Sequence, residues 1–315
     1  MDLFQSNDNR MPPDPVCDYL RTPDGVRLRY ARWKTLRPPA KGTIVLLQGR
    51  TEYIEKYYET ITNFRKAGFE VATFDWRGQG GSDRQVEDGR GHVDSFEEYV
   101  TDLETIMQDV VLPDCRAPLF IVAHSTGALV ALLAAPRLAN KVERMVLLSP
   151  LIRFGDSAPS QRLTRFVAGI LSALGLGTSH LGRRTRADAT KSFAANRLTS
   201  DTRRFTRNAE FLEEHPELFV GPPTAGWLFA ACRAMDQVDD PDFIATVSVP
   251  TLLACAGNDR IVSNRAIEEL GFRLLSGRTL TVDGARHEIL QERDSCREQL
   301  LAAITAFVPG TSMVA

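Results

Sequence analysis

Two kinds of apolar pattern alternate along the chain. Short continuous runs, such as Thr43-Ile44-Val45-Leu46-Leu47, recur at 71–74, 118–122, 145–148, 250–255 and 279–282. Runs of this length, rich in β-branched residues, predict strands buried on both faces. Between them lie longer stretches with one apolar face. In 95–111 that face is Phe96, Val100, Leu103, Ile106, Met107 and Val110. This spacing predicts a helix, as do the patterns at 55–67 (ended by Gly68), 126–138, 263–275 and 289–307. Two earlier strand-like runs, 16–21 and 26–33, are joined by Thr22-Pro23-Asp24-Gly25, which has the chemistry of a hairpin turn. Strands alternating with helices predict an α/β fold built on a doubly wound, mostly parallel sheet.

The rhythm stops at Pro150 and resumes at Pro250. From about 151 to 245 there are helical patterns and no core strand, so this segment is expected to be a helical cap, or lid. It leaves from a strand's carboxyl end, where open α/β sheets carry their active sites. The expected division is a core of 16–150 and 246–308, a cap of 151–245, and tails at 1–15 and 309–315. The first tail, with Pro12, Pro13 and Pro15, is expected to be mobile.

One junction carries candidate chemistry. The run at 118–122 is followed at once by Ala123-His124-Ser125-Thr126-Gly127 and then by the helical stretch 128–135. A strand that turns directly into a helix must pivot within one residue. The pivot is strained, and its side chain is pushed out of the sheet. Ala123 and Gly127 supply the small neighbours that the crowding requires, which makes Ser125 a candidate nucleophile. Ser82 and Ser149 lack such a junction. A serine hydroxyl needs a base in reach and a third group to orient that base. Of His92, His124, His180, His215 and His287, only His287 lies in the loop after the last strand, at the same sheet edge as Ser125. Asp259, in Ala256-Gly257-Asn258-Asp259-Arg260 after the strand at 250–255, is the candidate orienting acid. Acyl transfer also needs N–H donors for the developing oxyanion. Thr126, just after the nucleophile, and Arg50, in the loop Gln48-Gly49-Arg50-Thr51-Glu52-Tyr53, are the expected backbone donors.

The order Ser125, Asp259, His287 is that of α/β-hydrolases. The chain resembles that superfamily, and within it the branch of bacterial lysophospholipases and monoacylglycerol lipases. The resemblance rests on 48–53, similar to that branch's His-Gly-x-x-Glu loop, and on Asp75-Trp76-Arg77-Gly78-Gln79-Gly80-Gly81-Ser82, similar to its Asp-x-Arg-Gly-His-Gly-x-Ser turn. Gly91-His92-Val93 with Phe96 and Tyr99, the stretch 123–127, Gly257-Asn258-Asp259 and His287-Glu288-Ile289-Leu290 also fit. It covers 16–150 and 245–308; within the insertion only Gly221-Pro222-Pro223-Thr224-Ala225-Gly226-Trp227-Leu228 looks similar. Gln48 replaces the branch's usual His, and Ala123 the first Gly of G-x-S-x-G. The resemblance implies a cofactor-free serine hydrolase acting on carboxylic esters of lysophospholipids or monoacylglycerols.

Composition narrows the partners. The 315 residues are 43% hydrophobic and 25% charged, with a net charge of −2, which gives no pull toward nucleic acid. Cys17, Cys115, Cys232, Cys255 and Cys296 show no CxxC spacing, so neither a disulfide frame nor a metal site is expected, and the compartment expected is the cytoplasm. There is no signal-like N-terminus and no run of about 18 apolar residues. Residues 153–207, however, hold eleven basic residues against three acidic ones, beside the apolar stretch 163–176. This predicts peripheral contact with an anionic membrane surface or an amphiphilic ester. Competing readings are a small peptidase with the same triad and a non-catalytic ligand-binding protein on the same scaffold. A nucleophilic-aspartate enzyme is disfavoured by serine at the pivot.

Overall fold

The computed structural model describes residues 3–86, 89–156, 158–179 and 193–308. Its centre is one sheet of eight strands: β1 (Val16–Arg21), β2 (Arg27–Trp33), β3 (Thr43–Leu47), β4 (Glu70–Phe74), β5 (Leu119–His124), β6 (Arg144–Leu148), β7 (Thr251–Ala256) and β8 (Gly277–Val282). The order across the sheet is β1-β2-β4-β3-β5-β6-β7-β8. β1 and β2 form an antiparallel hairpin and β2 runs antiparallel to β4; every later pairing is parallel. This is the α/β-hydrolase fold, with the cap inserted after β6.

Every residue of β3, β4, β5 and β7 is buried. Their side chains alternate between two cores, one on each face. Val45 and Leu47 point into the core beneath Phe96–Ile106 and Ser125–Leu138, whereas Ile44 and Leu46 point into the one beneath Tyr58–Ala67 and Asp294–Phe307. These four runs were legible as strands because both faces are covered, whereas in β8, at the sheet's edge, only Val282 is buried.

The helices differ from expectation where side chains intervene. The pattern at 55–67 divides into a 3₁₀ turn, Ile54–Tyr57, and a helix, Tyr58–Ala67, which stops at Gly68 with a φ of 103°. The helix Phe96–Ile106 starts at a Ser95–Glu98 capping box and runs on through a π-helical turn to Asp114, beyond the expected end. The pattern at 289–307 is split into a turn, Ile289–Gln291, and a helix, Asp294–Phe307. Glu292 sits in the break, where its carboxylate accepts from the N–H groups of Arg286 (2.9 Å) and Ser200 (2.7 Å).

The expected mobile N-terminal tail is instead laid along the core over its described part. The Asn9 amide donates to the Glu55 carbonyl (2.9 Å), Trp33 Nε1 to the Pro12 carbonyl (3.1 Å) and Arg65 to the Pro13 carbonyl (2.9 Å). Prolines keep this segment out of helix and strand, and side chains from the core tie it down.

The cap contributes the helices Gln161–Ala173, Thr202–Glu214 and Ala225–Asp239. The first packs on the third. The stretch 221–228 seats the cap on the core. Pro223 bridges to Gly91, the Thr224 hydroxyl lies 2.7 Å from His92 Nδ1, and Trp227 Nε1 donates to the Tyr99 hydroxyl (3.2 Å). The 75–82 turn is structural: the Asp75 carboxylate accepts from the N–H groups of Ile54 and Gly81 and from Arg29.

Candidate active site

β5 ends at His124 and the helix Ser125–Leu138 begins at the next residue. The pivot falls on Ser125, whose φ of 50° lies in the left-handed region. A non-glycine residue there stores about 1–3 kcal/mol, offset by the packing of the strand and helix on either side. Gly127 explains the need for small neighbours. A Cβ on it would collide with the Gln48 carbonyl oxygen and lie 3.1 Å from the Leu47 carbonyl carbon. That close approach brings the loop after β3 against the first turn of the elbow helix.

The three sequence-predicted side chains meet at the sheet's carboxyl edge. His287 Nε2 is 3.0 Å from Ser125 Oγ, and His287 Nδ1 is 2.8 Å from Asp259 Oδ2. Asp259 Oδ1 accepts from the N–H groups of Ile261 (2.8 Å) and Val262 (3.1 Å), so both carboxylate oxygens are engaged. Burial raises the pKa of Asp259, but the bond to His287, its charge and the two backbone N–H groups outweigh burial. The net result is a carboxyl held below its usual range. Ser125 and His287 are both buried. A neutral imidazole bonded in this way can donate from Nδ1 to the carboxylate and accept the serine proton at Nε2.

Thr126 occupies the first turn of the elbow helix, where backbone N–H groups have no intrahelical acceptor. Arg50 follows Gly49 in the loop beside it. The Arg50 side chain has work of its own that the sequence did not disclose. Its Nη2 donates to the Gly221 carbonyl (2.6 Å), and its guanidinium lies 5.2 Å from the centroid of Trp227. The loop after β3 therefore also holds the cap.

Three of the rival residues have other partners. The Ser82 hydroxyl donates to the Asp75 carbonyl (2.6 Å). His92 faces Thr224, and His215 stacks on Phe4 at 4.2 Å. His180 lies outside the described residues. Gln48, the departure from the branch's histidine, is buried, and its amide turns toward the Thr73 hydroxyl at 3.4 Å.

The basic cap is less cationic than its sequence suggested. Arg204 and Arg207 pair with Glu59, Arg204 also with Asp294, Arg165 with Asp236, and Arg153 with Asp239. These acids belong to the core or to the third cap helix. Arg183, Arg184, Arg186 and Lys191 lie outside the described residues. Among the described residues no cluster could hold a metal ion, and no helix is long and apolar enough to cross a membrane.

A cleft of about 70 Å³ opens under the helix Thr202–Glu214, and Glu288, the residue after His287, helps to line it. Phe205, Leu212 and Phe219 give it apolar walls; Thr51, Asn208 and the Lys56–Glu288 pair give it polar ones.

The profile of the family described as serine aminopeptidase, S33, matches residues 38–294. Lysophospholipase L2 of Escherichia coli K12 is 32% identical over 307 residues, covering 90% of this chain and 84% of that protein. A probable lysophospholipase L2 of Haemophilus influenzae is 26% identical, covering 92% of this chain and 91% of that one. Among solved structures, a soluble variant of monoglyceride lipase from Saccharomyces cerevisiae superposes with a TM-score of 0.74 at 19% identity, covering 93% and 95% of the two chains. The chain belongs to the serine aminopeptidase S33 family of α/β-hydrolases, in its lysophospholipase and monoglyceride lipase branch.

Proposed function

We propose that this protein is a serine esterase that removes the acyl chain from a lysophospholipid or a monoacylglycerol. The observation that carries the reading is the unbroken line Asp259–His287–Ser125, bonded at 2.8 and 3.0 Å. Ser125 Oγ attacks the ester carbonyl carbon while His287 Nε2 takes its proton. Asp259 fixes the Nδ1–H tautomer and stabilises the imidazolium that forms. The N–H groups of Arg50 and Thr126 hold the oxyanion; in comparable sites the loss of one such donor costs about 3–4 kcal/mol. The tetrahedral adduct collapses as His287 hands its proton to the leaving glycerol oxygen, which leaves an acyl-serine. Water, deprotonated by His287, then releases the fatty acid and restores Ser125.

An amphiphilic substrate suits the mixed lining of the cleft that Thr51 and Glu288 help to form. The names of the relatives, lysophospholipase L2 and monoglyceride lipase, point to the same class. A peptidase is disfavoured by charge. It would need a free acid to grip an amine, yet Glu288, the acid in the cleft lining, holds Lys56.

Such a substrate comes from a lipid phase, and the first cap helix is built to touch one. Within Gln161–Ala173 only Ala168 is buried. Leu163, Val167 and Ile170 are exposed; Phe166 is 66% exposed and Leu174, just past the helix, 69%. Their spacing forms one apolar stripe, flanked by Arg162 and Arg165. The setting proposed is peripheral contact of this stripe with an anionic membrane, from the cytoplasmic side.

The test is a hydrolysis panel of a lysophospholipid, a monoacylglycerol, p-nitrophenyl butyrate and an aminoacyl p-nitroanilide. Each is assayed with wild type and Ser125→Ala. The expected result is ester turnover that vanishes in the folded variant. Turnover of the anilide alone would make the protein a peptidase. No turnover of anything, with no labelling by a fluorophosphonate, would make it a binding protein.

A further inference from the structure

Behind the reacting side chains lies a second set of buried polar groups that the acyl-transfer steps do not use. Four side chains stand in line. His124 Nδ1 is 3.1 Å from Glu52 Oε2, and Lys56 Nζ is 2.9 Å from Glu52 Oε1 and 2.7 Å from Glu288 Oε1. All four residues are buried. The Tyr57 hydroxyl donates to Glu52 Oε2 (2.7 Å), and the Gly49 N–H donates to the same oxygen.

The protons on His124 follow from its partners. An amide N–H and an ammonium can only donate, so Glu52 is an ionised acceptor and Nδ1 must donate to it. Nε2 is 3.2 Å from the backbone carbonyl oxygen of His287, which can only accept. A neutral imidazole carries one N–H; two acceptors require two. Charge agrees with geometry. Imidazolium, carboxylate, ammonium and carboxylate alternate to zero, whereas a neutral His124 would leave one buried negative charge uncompensated. Burial opposes the charged ring, but Glu52, by charge and hydrogen bond, and Glu288 overcome it, so the pKa is raised.

The position of this ring gives the charge a consequence. His124 immediately precedes Ser125. Its two nitrogens reach the loop after β3 on one side and the His287 loop on the other. The contact with the first loop is tight: a Cβ on Gly49 would lie 2.8 Å from both Glu52 Oε2 and His124 Nδ1. Groups facing the ring are Glu52, Lys56, Tyr57 and Glu288, with the His287 ring centroid 4.9 Å away.

We propose that His124 is a positioning residue charged at neutral pH, a buried imidazolium whose two N–H bonds brace the oxyanion loop and the His287 loop about Ser125. The role rests on the esterase reading. Losing one proton opens one side of the brace, while Asp259 and Ser125 keep their bonds to His287. The loops then drift apart, and small misplacements of reacting groups are costly in rate.

The test uses the full chain, labelled with ¹⁵N-histidine, as wild type and as His124→Gln. At pH 8 one imidazole should show both nitrogens protonated, and that signal should be missing from the variant. If the variant does not fold, the signal is assigned by its through-space contact to the His287 ring. A His124 spectrum of a neutral tautomer at pH 8 would overturn the proposal. In the same proteins, kcat for p-nitrophenyl butyrate should fall about tenfold or more in H124Q, with KM little changed. The alkaline decline of the wild-type kcat should be absent from the variant. A folded H124Q with wild-type kcat at pH 7 would also overturn it. If the wild type cleaves no ester, the esterase reading has failed, and the imidazole spectrum, which needs no substrate, still decides this one.

Discussion

The rim where Ser125, His287 and Asp259 meet and the outer helix of the cap are made in opposite ways. At the rim Ser125 and Asp259 follow fully buried strands, His287 follows β8, and the three side chains are bonded to one another in line. On Gln161–Ala173 the large apolar side chains point outward, and only Ala168 is buried. Rigid elements suit chemistry, which tolerates little misplacement. An apolar stripe with little to pack against suits contact with something that the chain itself does not supply. Changes in the two regions should therefore separate rate from access.

The largest effect is expected at the rim. Asp259→Asn should lower kcat for a soluble short-chain ester by roughly 10³–10⁴-fold, because the amide favours the wrong His287 tautomer. Its thermal midpoint should stay near that of the wild type. Steady-state kinetics beside a melting curve checks both. A loss of fold in step with activity would remove the distinction between the two regions.

The cap should show the converse. The double change Phe166→Ser and Leu174→Ser removes two exposed apolar side chains and should leave kcat for the soluble ester unchanged. Binding to vesicles of anionic phospholipid should weaken about tenfold or more. Flotation of wild type and variant on the same vesicles measures it. Equal flotation would show that this stripe is not the membrane contact.

The smallest effect concerns the joint between the regions. Glu59, on a core helix, holds Arg204 and Arg207 of the cap and Arg297 of the core, at 2.5, 2.9 and 2.8 Å. Burial raises its pKa, but these bonds lower it from 4.5 to about 2. A group whose folded pKa is depressed contributes stability above its unfolded value and loses it as pH falls through the folded one. The joint should thus be intact above about pH 4.5 and weaken between there and pH 2. Glu59→Gln should flatten that part of the melting-temperature curve. His124 works in the opposite direction. Its pKa is raised, so its contribution is complete below about pH 6.5 and is lost as pH rises through the folded value.

Much of the rim was legible in the sequence because its requirements are local. Ser125 had to sit between a strand and a helix with small neighbours, and Asp259 and His287 had to follow strands. Partners distant in the chain were not legible. Arg50 was expected to contribute a backbone donor, and nothing near it foretold its contacts with Gly221 and Trp227. His124 precedes the pivot, where the sharp turn sends its ring away from the rim. It does turn away, into a network with Glu52 and Lys56 that no spacing rule encodes. Part of the cap's positive charge is met from far outside it in sequence, by Glu59 and Asp294. The composition of 3–15 reports the absence of regular structure and says nothing of the side chains that bond to it.

The central claim is that Asp259 and His287 activate Ser125 as a nucleophile. Its most direct measurement is the intact mass and peptide map of the protein after brief exposure to a fluorophosphonate, for wild type and for His287→Ala. The account predicts one adduct on the wild type, located on Ser125, and a far slower reaction in the variant. Labelling of another residue, or equal labelling of Ser125 without His287, would contradict it.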